Sequence, residues 1–158
     1  MGRMLRNLLG ALAAASAALL LAVALAACGG GAGGGGDGRP QIVATTQVLG
    51  AVVKDVVGDR ADVRVLMPAG VDPHDWQPSP RDIEAVGRAD LVVANGLGLE
   101  AGLQDALDQA RDDGVPVFLA TDHVDVRRVG AGEAGDHGDA GAEDPHVWTD
   151  PASMERVV

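Results

Sequence analysis

Leu91-Val92-Val93-Ala94-Asn95 is an apolar run without alternation, followed directly by Gly96-Leu97-Gly98. A strand that is apolar at successive positions buries both faces, as strands do in parallel sheets covered by helices on either side. A helical stripe comes next. Leu99, Leu103, Ala106, Leu107 and Ala110 recur at three- and four-residue spacing between about Leu99 and Asp113, and Gly114 stops the segment. Val115-Pro116-Val117-Phe118-Leu119-Ala120 then reads as a further strand. The same alternation runs upstream. Gln41-Ile42-Val43-Ala44-Thr45 is a strand, and Gln47 to Val57 carries a helical stripe of Val48, Leu49, Val52, Val53, Val56 and Val57, ended by Gly58. Asp62 to Met67 alternates as a second strand. Ser79-Pro80-Arg81-Asp82 supplies an N-cap serine, proline at the first helical position and an acid in the first turn, opening a helix with Ile83, Val86 and Ala89. The order βαβαβαβ predicts an α/β fold: a parallel four-stranded sheet with flanking helices.

The rhythm breaks between Asp122 and Asp144, a long, acidic, Gly-rich segment that includes Gly130-Ala131-Gly132-Glu133-Ala134-Gly135-Asp136-His137-Gly138-Asp139. A loop of such length inside a compact domain is functional or flexible. Asp150-Pro151 then opens a last helix, Ala152 to Val158.

Two copies of one pattern, Asp-Pro-His-x-Trp, flank this organisation: Asp72-Pro73-His74-Asp75-Trp76 and Asp144-Pro145-His146-Val147-Trp148. They use two of the four histidines and both tryptophans. Proline fixes its own φ and biases the preceding aspartate towards extended geometry, so each histidine is presented on a stiff loop. The first motif follows a strand directly and the second follows the long loop after the last strand. Ligands of open parallel sheets sit outside the carboxyl ends of the strands, so topology brings His74 and His146 towards one site. Imidazole is the commonest protein metal ligand, and a transition metal is the expected occupant. Taken singly, each histidine reads as a structural loop residue; taken together, the twin motifs read as a pair of ligands. Asp72 and Asp144 either orient the imidazoles from behind or cap their own loops. Glu100 either supports the site or sits at the start of the third helix for the sake of its dipole. His123 after the fourth strand reads as a surface residue, and His137 as a solvent-exposed loop residue able to capture metal loosely.

The ends set the compartment. Arg3 and Arg6 precede an uncharged Ala/Leu-rich run from Leu8 to Ala27, which reads as an export signal over residues 1–27. At about twenty residues the run is also long enough for a membrane-spanning helix, but its end, Leu25-Ala26-Ala27-Cys28-Gly29, resembles the lipobox of bacterial lipoproteins, in which the cysteine is acylated and becomes the new N-terminus. Residues 28–39 are then a Gly-rich tether reaching roughly 15–20 Å. Cys28 is the only cysteine, which excludes an internal disulfide and a thiolate metal site. The net charge is −11, and because Arg3 and Arg6 lie in the leader the remainder carries ten basic against 23 acidic residues. Such acidity argues against nucleic acid as a partner and suits solubility or cationic ligands.

Several runs carry a family resemblance. Val43-Ala44-Thr45-Thr46, Leu66-Met67-Pro68-Ala69-Gly70-Val71-Asp72-Pro73-His74 with Pro78-Ser79-Pro80, Ala89 through Glu100, and Asp144-Pro145-His146-Val147-Trp148-Thr149-Asp150-Pro151 resemble the zinc- and manganese-binding solute-binding lipoproteins of ABC importers. The resemblance covers roughly residues 40 to 158. It implies that His74 and His146 are the first two metal ligands, that residues 40–150 form the N-terminal lobe of a two-lobed protein, and that residues 151–158 begin the long helix joining the lobes. The loop around His137, within the acidic stretch 122–144, takes the place of the family's variable, often His-rich loop, here with that one histidine. The family completes its site with another histidine and an Asp or Glu from a second lobe, which would follow Val158, so the chain is expected to be an N-terminal portion. Zinc, or alternatively manganese, is the implied cargo; a membrane permease is the implied partner, and the extracytoplasmic face, with a lipid anchor, the implied location. No enzymatic activity is expected. Two rivals stand beside this reading. One is a surface adhesin or interaction lipoprotein. The other is a zinc hydrolase, for which no His-Glu-x-x-His or comparable general base is present.

Overall fold

A computed structural model describes residues 38–133 and 139–157. The export signal, Cys28, most of the tether and His137 lie outside the described residues.

Four strands, β1 (Gln41–Ala44), β2 (Asp62–Val65), β3 (Leu91–Ala94) and β4 (Val117–Leu119), form one sheet in the order β2-β1-β3-β4. Every neighbouring pair is parallel, with Gln41 opposite Asp62, Ile42 opposite Leu91 and Val92 opposite Val117. The sheet and its helical connections match the fold expected from the sequence. Side-chain alternation along the strands divides the core in two. Val43, Val92 and Ala94 join Val86, Leu103, Leu107 and Ala110 on one face, which is covered by α2 (Pro80–Gly87) and α3 (Gln104–Asp112). Ile42, Ala44 and Val93 join Leu49 on the other, under α1 (Gln47–Val57) and α4 (Pro151–Val157), whose Met154 and Val157 pack there.

The helix signals act as their chemistry requires. Thr46 caps α1 by accepting the Leu49 amide, and Gly58 ends it at φ 54°, a backbone region that favours glycine. Ser79 and Asp82 form a reciprocal capping box at the start of α2. Ile83, expected on the apolar side of α2, is 47% exposed, so Val86 and the following Ala89 carry that contact instead.

The third helix starts later than its stripe predicts. Gly96, Leu97 and Gly98 all have positive φ, a short turn covers Ala101–Leu103, and α3 begins only at Gln104. Leu99 is buried without belonging to the helix. The cause lies at Glu100, whose side chain folds back onto the amides of Asn95 and Gly96 and whose backbone is not helical. Among the described residues no helix is long and apolar enough to cross a membrane.

Candidate metal centre

The strand order reverses between β1 and β3, the point beyond whose carboxyl ends open parallel sheets take their ligands. Thr45 and Asn95, the residues immediately after those two strands, are both buried. Glu100 joins them: its carboxylate accepts the Thr45 hydroxyl at 2.6 Å, the Asn95 amide at 2.7 Å and the Gly96 amide at 3.3 Å. A carboxylate so far from water needs donors on both oxygens, and it has them. The buried side-chain amide of Asn95 donates to the Pro145 carbonyl at 2.8 Å and to that of Gly96 at 3.2 Å. The second Asp-Pro-His motif thus hangs from the buried residue that follows β3.

Within that motif, Asp144 makes most of the local order. Its Oδ1 accepts the His146 amide at 3.0 Å and lies 2.6 Å from His146 Nδ1. Its Oδ2 accepts a hydrogen bond from the Arg127 guanidinium. Burial works to raise the Asp144 pKa, but the His146 amide and ring and the Arg127 guanidinium outweigh it and bring the value down to about 2. The carboxylate therefore stays ionised, and a proton on His146 Nδ1 is what it attracts. His146 keeps 19% of its side chain exposed, and Trp148 stands edge-on to it with ring centres 5.2 Å apart.

The first motif is held differently. Asp72 Oδ1 accepts the His74 amide at 2.9 Å, and the Trp76 amide donates to the Asp72 carbonyl at 3.1 Å, closing a tight turn. The Trp76 ring packs against the first core. Its carbonyl presses on Gly102, where a Cβ would stand 2.5 Å from that oxygen. His74 itself is exposed.

The two rings meet at their outer nitrogens. His74 Nε2 and His146 Nε2 are 3.3 Å apart, with ring centres 5.4 Å apart and planes tilted by 56°. Two nitrogens bound at about 2.0–2.1 Å to a tetrahedral ion are separated by roughly 3.3–3.4 Å, the edge of the tetrahedron. With Nδ1 of His146 protonated towards Asp144, its Nε2 carries the lone pair, and in the absence of an ion His74 Nε2–H is the matching donor. Among the described residues no group of three His, Cys, Asp or Glu side chains converges tightly enough to hold a metal.

The residues singled out from the sequence fall into distinct places. His74 and His146 come together, with Asp144 directly behind His146. Asp72 caps its own loop. Glu100 lies just ahead of α3, not within it, and its carboxylate fixes the turn through Thr45, Asn95 and Gly96. His123 is exposed and stacks on Phe118 with ring centres 4.3 Å apart. Sequence reasoning missed Thr45, Asn95 and Arg127. Arg127 stands out in sequence only as one of two arginines in the acidic stretch 122–144, a pattern that does not name its partner.

The chain belongs to the family described as zinc-uptake complex component A, periplasmic, whose model matches residues 42–158. It is similar to the manganese ABC transporter substrate-binding lipoprotein PsaA of Streptococcus pneumoniae, 31% identical over 113 residues that make up 68% of this chain and 35% of the relative. The manganese-binding lipoprotein MntA of Halalkalibacterium halodurans is 32% identical over 119 residues, 75% of this chain and 36% of the relative. Among solved structures, the periplasmic zinc-binding protein TroA of Treponema pallidum superposes with a TM-score of 0.63 at 29% identity, over 76% of this chain and 42% of that one. The chain thus spans about a third of the length of the relatives it matches.

Proposed function

We propose that this chain is the metal-capturing N-terminal lobe of an extracytoplasmic solute-binding lipoprotein, serving an ABC importer for zinc or manganese. The observation that carries the reading is the 3.3 Å approach of His74 Nε2 and His146 Nε2 at the switch point of the sheet. That separation suits two ligands of one tetrahedral ion. His74 and His146 are the ligands, binding through neutral Nε2 lone pairs, with Asp144 holding the second ring in the required tautomer.

Family membership supports the transport role, since the relatives are substrate-binding components of metal transporters by name. The remaining ligands would come from a second lobe, reached through the helix that α4 begins, and closure of the lobes around the ion would present it to a membrane permease. Cys28 would carry the lipid anchor and residues 28–39 would tether the lobe to the membrane. Zinc is favoured over manganese by two nitrogen donors at a tetrahedral spacing, and manganese would be favoured by added oxygen ligands.

Calorimetric titration of the chain with zinc and manganese, repeated on His74→Ala and His146→Ala, tests the reading. Zinc heats that vanish in both variants support it. Binding that survives the loss of both imidazoles refutes it.

A further inference from the structure

Arg127 belongs to the long acidic loop, yet its guanidinium reaches the site. One nitrogen, Nη2, donates to Asp144 Oδ2, and the other, Nη1, donates to Glu133 Oε2 at 2.6 Å. Glu133 in turn accepts the Gly130 amide at 3.1 Å. The backbone closes the base of the same loop: the Asp144 amide donates to the Arg127 carbonyl at 2.8 Å, Arg128 and Glu143 form an antiparallel bridge, and Val129 is buried between them. The guanidinium is therefore stretched between the loop and the carboxylate behind His146.

We propose that Arg127 is a positioning residue for the metal-facing nitrogen of His146, acting through Asp144. Only 7% of the Asp144 side chain reaches solvent, so water does little for its Oδ2. Arg127 supplies both the hydrogen bond and the opposite charge there, and it fixes the carboxylate plane that Oδ1 shares with the His146 amide and Nδ1. Without the guanidinium, the carboxylate turns towards solvent or another donor, and the Nδ1 proton loses its acceptor. The imidazole then populates its other tautomer, with the proton on Nε2 where an ion needs a lone pair. The acidic loop is thereby a determinant of the site through its base.

This inference deepens the metal reading and depends on it only for affinity. The tautomer of His146 is therefore measured first, by long-range nitrogen–proton NMR on the metal-free 158-residue chain. The wild type is expected to hold the Nδ1–H form; an Nε2–H form there overturns the inference. Arg127→Met is expected to mix the tautomers and to weaken zinc binding by about 10- to 100-fold, the range for loss of an orienting partner. Arg127→Lys, which keeps the charge and one donor, is expected to restore the Nδ1–H form in large part. Arg127→Gln serves in place of the methionine variant should the latter not fold, as judged by amide dispersion. A folded Met or Gln variant with an unchanged tautomer and zinc affinity within twofold overturns the proposal. Failure of the wild type to bind zinc through either histidine counts against the metal reading alone, and the tautomer then decides this inference.

Discussion

Asn95 closes β3, and its side-chain amide donates to the carbonyl of Pro145, fifty residues further along the chain, at 2.8 Å. This single bond joins the buried end of the sheet to the residue before His146. The backbone amide of Asn95 is held by Glu100, and its carbonyl accepts the Thr121 amide at 3.0 Å, so the donor sits on a fixed base.

Asn95→Ala leaves the Pro145 carbonyl without that donor in a buried loop. Unfolding in urea should show a loss of about 1–3 kcal/mol, and zinc affinity should fall by more than that of a surface control such as Lys54→Ala. A variant as stable as the wild type with unaltered zinc binding would show that the second motif holds itself.

The paired histidines make a prediction about additivity. Each of His74→Ala and His146→Ala should weaken zinc binding by more than about a hundredfold, beyond the loss of an outer partner. The double variant should be little worse than either single one, because one remaining imidazole is no longer a chelating pair. Additive losses in competition titrations would place the two rings on different ions.

The carboxyl of Asp144 titrates near 2 in the folded chain against ~3.9 in an unfolded one. A depressed folded value stabilises the fold above the unfolded pKa, and the contribution disappears as pH falls from about 4 towards 2. It amounts to about 2–3 kcal/mol. The difference in stability between the wild type and Asp144→Asn should therefore shrink across that window, as followed by denaturant unfolding at successive pH values. A constant difference would mean that the carboxylate is not ionised by its partners.

Gly102→Ala places a methyl group 2.5 Å from the Trp76 carbonyl oxygen. The backbone of the His74 loop must then move, since neither atom lies at the end of a flexible side chain. Zinc affinity should drop several-fold while the Trp148 environment stays as it was. Tryptophan fluorescence of the two single-Trp variants separates the loops.

The sheet was legible because each strand announces itself. Leu91 to Ala94 is apolar throughout, and the intervening stripes repeat at helical spacing. The pairing of His74 with His146 was also legible, since their twin motifs follow strand ends that topology brings together. The fold-back of Glu100 was not. In sequence it looks like a first-turn acid of a helix beginning at Leu99, and only the tertiary approach of Thr45 and the turn amides draws it inward. Arg127 stayed hidden for a related reason: 17 residues separate it from Asp144, and no periodic pattern marks an ion pair across a loop.

The twin motifs are chemically alike and mechanically unlike. His146 is fastened by its ring, through Asp144, before any ion arrives. His74 is anchored through its backbone amide to Asp72, and its exposed ring touches the outer nitrogen of His146. On the proposed reading, an arriving cation would meet one ligand that acts as a template and one that acts as a latch. The orientational freedom of the first would be surrendered during folding, and that of the second during capture. Affinity should then be most sensitive to how tightly the template is framed, and the rate of release to how readily the latch swings away.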